Sequence, residues 1–231
     1  MIRARIFLAI ALLTIPLGVA LPAQPTYAGV LTCSSDTVGR TVDIFSATVP
    51  GIFGEEYILI GGNWGWKLLD MRSPNTVRRS GVESTASVRA TYVAGGPLAT
   101  PAKTFAVGGP SGWKGFSLEQ AGVPEIFSSS LVTYIVDTYY DGTMFAAGPN
   151  GWEVRSKAGV IVQSGTENVQ SGGLSRENNT TPKIYVAGSL GWKIYHLDGT
   201  VDASGTDNVV AMQDYEGVSS SDEFVFGGAW G

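Results

Sequence analysis

A loop of the form Gly-x-x-Gly-Trp, entered from a short apolar strand, returns four times along this chain and begins a fifth time. The copies span 57–66, 105–113, 145–152 and 185–192; a fifth, 224–231, stops where its tryptophan should come. Trp66, Trp113, Trp152 and Trp192 lie 47, 39 and 40 residues apart. A period near 40 residues marks one supersecondary unit used repeatedly, each copy burying its faces against its neighbours.

Aligned on the tryptophans, the unit has four parts. The first is β-branched and apolar: 41–45, 87–93, 131–136 and 208–212. The second is the strand that enters the loop, and the third starts at each tryptophan. The fourth ends in Ser or Ser-Gly: 76–80, 160–165 and 200–205. Runs of four to seven residues, rich in β-branched and aromatic side chains and separated by Gly, Pro, Asn or Asp, are strand and hairpin signals. Asp141-Gly142 and Asp198-Gly199 are turn dipeptides, since glycine takes the positive φ of a tight hairpin. No stretch holds a 3.6-residue apolar period, so the mature chain is expected to carry almost no helix.

Four short antiparallel strands per repeat suit an all-β β-propeller of about five four-stranded blades, whose blades cover one another's faces. A β-sandwich or open solenoid explains the alternation but not the constant period. The segment 29–38 aligns with the fourth strand at 159–169, so it is expected to complete the last blade from the N-terminus and close the ring. That blade finds no third strand in the chain. It is therefore expected to be three-stranded, or the chain to be a truncated product.

The run Phe145-Ala-Ala-Gly-Pro-Asn-Gly-Trp152, followed by a strand and a Gly turn, resembles the repeats of Asp-box (sialidase-type) and photosystem II assembly-factor propellers. The diglycines Gly61-Gly62, Gly108-Gly109 and Gly227-Gly228 after apolar strands resemble kelch repeats. The later Tyr and Trp of kelch repeats are missing, and the Asp-box pattern is degenerate at 196–199 and 156–159. The resemblance implies the propeller fold and transfers no functional residue.

The N-terminus reads as a secretory leader. Arg3 and Arg5 precede an apolar run over 6–21 that ends in small residues, with cleavage expected after Ala28. The run is short for a membrane span and is broken by Pro16 and Gly18, so no stable span is expected after cleavage. This leaves 29–231 as one secreted or periplasmic domain. Its net charge falls from −5 to −7 as Arg3 and Arg5 are lost with no acid. With Arg72, Arg78, Arg79 and Arg89 as scattered surface residues, no basic stripe remains to hold a phosphate backbone, and nucleic acid is not an expected partner. One cysteine, Cys33, allows no intramolecular disulfide.

Catalytic chemistry is thinly supplied, and no catalytic residue is assigned. The single histidine, His196, falls in a predicted third strand and reads as a surface residue. No Gly-x-Ser-x-Gly motif occurs. One His and one Cys cannot build a zinc site, so neither metal nor cofactor is expected. A glycosidase-like alternative would draw on Asp43, Asp137 and Asp214, all on predicted channel-lining strands. A scaffold without a small ligand is the other alternative.

The remaining candidate is the loop. In a propeller the turn between second and third strands shares a face with the connections between blades. The repeated Trp66, Trp113, Trp152 and Trp192, with Gly62, Gly109, Gly148 and Gly188, are expected to serve packing between blades. The slot just before each Gly-Trp varies instead: Trp64, Ser111, Asn150, Leu190 and Trp230. These positions, with Asn63, are the expected ligand-binding residues of a binding module for carbohydrate or protein. Trp64 and Trp230 would be neighbours in a closed five-bladed ring, forming an aromatic platform.

Overall fold

The structure is a computed structural model that describes residues 39–47, 55–70, 76–90, 102–175, 182–215 and 223–228. For 39–47, 55, 56, 213–215 and 223 it describes the backbone alone. The expected leader over 1–28, the segment 29–38 and Trp230 lie outside the described residues.

Every regular element among the described residues is a strand. None of them is a helix long and apolar enough to cross a membrane. Four antiparallel sheets of four strands follow one another in chain order. The first contains β1 (Gly39–Ala47), β2 (Glu55–Gly62), β3 (Gly65–Asp70) and β4 (Val77–Gly81). The second contains β5 (Ser87–Arg89), β6 (Thr104–Gly109), β7 (Gly112–Ser117) and β8 (Glu125–Ser129). The third contains β9 (Ile135–Thr138), β10 (Met144–Gly148), β11 (Gly151–Arg155) and β12 (Ile161–Gly165). The fourth contains β13 (Ser171–Leu174), β14 (Ile184–Gly188), β15 (Gly191–Tyr195) and β16 (Val201–Gly205). A fifth sheet pairs β17 (Val209–Tyr215) with β18 (Glu223–Gly228).

The first strands neighbour one another in succession, β1 with β5, β5 with β9, β9 with β13 and β13 with β17, and so line up as an inner wall. Burial falls outward from there. β6, β10 and β14 are buried along their whole length, whereas the fourth strands β4, β12 and β16 share one largely exposed pattern. A strand covered on both faces reads as a continuous apolar run, which is how the second strands read.

Each core cluster lies between two successive sheets and takes in the tryptophan of the earlier one. Trp66 meets Phe105 and Phe116 at ring separations of 5.7 and 4.8 Å. Trp113 joins Val136, Met144 and Ala146 of the third sheet. Trp152 lies 5.3 Å from the ring of Tyr195, and Trp192 4.6 Å from that of Phe226. Trp66, Trp113 and Trp152 are 1–2% exposed; Trp192, against the two-stranded sheet, is half-buried.

The loop glycines have two different jobs. In each two-residue hairpin the glycine before the tryptophan (Gly65, Gly112, Gly151, Gly191) has φ between 115° and 130°. A Cβ there would also run into the carbonyl oxygen that ends the fourth strand. The glycine before the turn has ordinary φ but no room. A Cβ on Gly109, Gly148 or Gly188 would strike the carbonyl oxygen of Ser84, Val132 or Asn168, in the connection entering that same sheet.

Two strands carried no clear signal in the sequence. β13 is Ser-Gly-Gly-Leu, with no β-branched residue, and β8 is Glu-Ile-Phe-Ser-Ser. β9 also begins four residues later than its apolar run suggests. The stretch 131–134 is instead a connection, tied to the second sheet by the Thr133 N–H bonded to the Gly109 carbonyl.

Candidate functional site

The turns between second and third strands and the connections between sheets share one face, because the strands alternate in direction. The turn tips are Asn63-Trp64, Pro110-Ser111, Pro149-Asn150 and Ser189-Leu190. Asn63, Ser111 and Asn150 are exposed, and Leu190 is 87% exposed. Trp64 is only half exposed: its Nε1 is buried without a hydrogen-bond partner, and the Lys67 ammonium stands 5.5 Å from its ring centre. No partnership between Trp64 and Trp230 can be described, since Trp230 is outside the described residues.

Beneath these tips the connections hold a charged staple that strand signals do not reveal. Glu167, between the third and fourth sheets, accepts the Trp152 indole N–H at 2.9 Å from one side. From the other side it accepts Lys193 Nζ at 2.9 Å and the Tyr195 hydroxyl at 2.8 Å. Burial alone pushes the Glu167 carboxyl upward. The bonds from Lys193, its own backbone, Tyr195 and Trp152 together outweigh that and hold it at about 2 instead of 4.5. The same bonding raises Lys193, chiefly through Glu167, while burial foremost raises Tyr195.

Glu83 repeats the arrangement between the first and second sheets. It pairs with Lys114 at 2.5 Å, which draws the Glu83 carboxyl down and the Lys114 ammonium up. The Trp66 N–H faces the other Glu83 oxygen without closing a hydrogen bond, and its influence on the carboxyl is the smallest of those acting. Between the second and third sheets the charges exchange places. Leu131 stands where the glutamates stand, and Glu153 follows Trp152 where the other sheets have lysine after their tryptophan. Glu153 accepts the Trp113 N–H at 3.3 Å and the Ser129 hydroxyl at 3.1 Å. The signal available in the sequence was this covariation between the residue after each Trp and the acid in the connection.

Because Glu167 is depressed on folding, its contribution to stability is present above its ordinary 4.5 and is lost as pH falls toward about 2. The urea midpoint is therefore expected to hold level above pH 4.5 and to drop between 4.5 and about 2. In Glu167→Gln that drop should be shallower; an unchanged profile would show that Glu167 does not carry it.

Among the carboxylates considered for catalysis, Asp137 is held by structure. It is buried, accepts the backbone N–H groups of Leu174 at 3.0 Å and Thr138 at 2.9 Å, and lies 3.6 Å from Arg89 Nε. It so joins the first strands of three successive sheets. Asp43 shares its register position, opposite Leu59 as Asp137 is opposite Phe145; the side chains of Asp43 and Asp214 are outside the description. His196 lies just past the end of β15, in the turn to β16, 3.4 Å from Asp202 and exposed. No group of three or more His, Cys, Asp and Glu among the described residues could hold a metal ion.

Two cavities open on the loop-bearing face at equivalent places in the repeat. One, of about 320 Å³, is bounded by Glu83, Ser111, Trp113 and Lys114. The other, of about 190 Å³, is bounded by Glu167, Leu190, Trp192 and Lys193.

No family model matches the sequence, and no curated protein matches it. Solved structures do. The crystal structure of BBS1N in complex with ARL6DN, soaked with lead, superposes with a TM-score of 0.55 at 10% identity, covering 84% of this chain and 63% of that one. Its mercury-soaked counterpart gives 0.53 with the same identity and coverage. BamB from Moraxella catarrhalis gives 0.47 at 16% identity, over 69% of this chain and 49% of its own. The fold is a β-propeller. The chain spans less than two thirds of the length of these structures. At such identities the likeness concerns the fold alone, so the blades must be read from their own residues.

Proposed function

We propose that this propeller is an exported binding module that engages a protein partner on the face carrying the Gly-x-x-Gly-Trp turns. The observation that carries the reading is the contrast within each turn. Its glycines and tryptophan are fixed by packing, while the tip slot presents a different side chain in each of the four described turns, including a leucine that is 87% exposed. A large apolar residue held in water on a rigid hairpin suits a contact with another protein. The leader expected over 1–28 from its basic start and short apolar run supports a place outside the cytoplasm. BBS1N, of similar fold, is seen in complex with ARL6DN.

Photo-crosslinking amino acids test this in the cells that make the protein. A crosslinker at Leu190 or Asn63 should give a discrete adduct, and one at Asp198, in a turn on the opposite face, should not. Leu190→Asp should cut adduct formation from Asn63 by about tenfold, as loss of an apolar anchor does. Equal labelling from both faces, or none from either, would refute the reading.

A further inference from the structure

The fourth strand of each four-stranded sheet ends beside the Gly-Trp turn, and the residue that follows it occupies one recurring place. A Cβ on Gly65 would come within 3.0 Å of the Cα of Val82. On Gly112, Gly151 and Gly191 it would meet the Cα of Ser130, Thr166 and Thr206 at 3.1–3.3 Å. Three repeats thus put an exposed hydroxyl residue there, and the first puts a valine that is 90% exposed. The repeat does not require an apolar side chain at this place, and water opposes one.

Val82 borders the turn that carries Trp64, the one tryptophan among the four described turn tips. That indole is half-buried, and its N–H is covered without meeting an acceptor. A donor in this state carries a desolvation cost that a hydrogen bond would remove.

Charge sets this corner apart as well. The residue after the tryptophan is Lys114 in the second sheet, 2.5 Å from Glu83, and Glu153 in the third, 3.0 Å from Arg155. In the fourth it is Lys193, 2.9 Å from Glu167. The first sheet has Lys67, which is exposed, stands 5.5 Å from the Trp64 ring centre and has no carboxylate partner among the described residues. A tryptophan, an exposed valine and a lysine that no described acid neutralises therefore meet at one turn.

We propose that this corner of the loop-bearing face anchors a partner segment in which an acidic residue stands beside an apolar one. The apolar side chain covers Val82 and the Trp64 ring. The carboxylate faces Lys67 and accepts the indole N–H as Trp64 turns outward. Large aromatic residues dominate binding energy at protein interfaces, and complementary charge beside them selects the partner. A basic segment would oppose Lys67, and a wholly apolar one would cover it without a counter-charge. This rests on the protein-binding reading and assigns the anchor to the first sheet and the negative charge to the partner.

Random peptides displayed on phage and selected on the purified protein supply the probe. Enriched peptides should carry Asp or Glu beside Leu, Ile, Val or Phe. A synthetic copy of the most enriched one should shift the Trp64 indole N–H resonance on titration. Val82→Ser copies the residue that the second repeat tolerates, and should weaken that peptide by about tenfold without moving the unfolding midpoint. Lys67→Glu copies the third repeat. It should lose the acidic peptide and bind a version of it in which the acid is replaced by lysine. Peptides weakened by Leu190→Asp but untouched by Val82→Ser would leave the protein-binding reading standing and overturn this anchor alone. No enriched peptide, enrichment without an acid, or equal binding of the acidic peptide to Lys67→Glu would each overturn it as well.

Discussion

Trp152→Ala should lower the unfolding free energy by about 3–5 kcal/mol, the range for deleting a fully buried large aromatic side chain. The indole is 1% exposed and lies in the cluster shared by the third and fourth sheets, beside Tyr195 and Leu174. Its removal leaves a cavity that two sheets cannot both collapse into, because each is tied by its own ladder. It also takes from Glu167 one of its hydrogen-bond donors. Urea denaturation of Trp152→Ala beside Glu167→Gln separates the two effects. If packing dominates, the glutamine variant loses much less; if the two lose equally, the staple rather than the indole holds the sheets together. Trp192→Ala should be milder, since that indole is half-buried against a sheet with two described strands.

Gly151→Ala should cost about 3 kcal/mol or more, for two reasons that a control can separate. The residue has φ of 130°, and a Cβ there would run into the Gly165 carbonyl oxygen. Gly122 also has positive φ, 80°, but a Cβ on it meets nothing within 4 Å. Gly122→Ala should therefore cost only backbone strain, about 1–2 kcal/mol. Equal losses at the two sites would show that the close approach of the fourth strand is unimportant. The same approach explains why that strand ends in glycine: a Cβ at Gly81, Gly165 or Gly205 would press on the indole of the paired tryptophan. Where Ser129 replaces it, the hydroxyl bonds to Glu153.

The hairpins were legible because their chemistry is local. A two-residue turn needs its glycine whatever surrounds it, and an apolar strand before it announces a covered element. β13 was not legible for the opposite reason. Its Gly173 stands where a Cβ would meet the Tyr185 hydroxyl and the Asp137 carboxylate, so its composition answers to a neighbouring sheet and not to strand propensity. Asp137 looked like a channel carboxylate from its strand position. Only the contact with Leu174, 37 residues away, shows that it is engaged in holding first strands together.

The period and the Gly-x-x-Gly-Trp turn were enough, from sequence alone, to set the repeating four-stranded unit, the propeller class and the face on which the variable tips stand. Those properties depend on residues within one hairpin and on the need of each unit to cover its faces. The partner of each tryptophan and each charge was decided only in three dimensions. Trp152 bonds to Glu167 in the connection that follows its own sheet, whereas Trp113 bonds to Glu153 in the next sheet, though both occupy the same place in the repeat. Likewise the serines around Lys114 come from a connection, a turn and a fourth strand, which only the packing of successive strands brings to one cavity. A repeat specifies its unit through local geometry; what happens between units depends on side chains far apart in the chain, and only the assembled sheets bring them together.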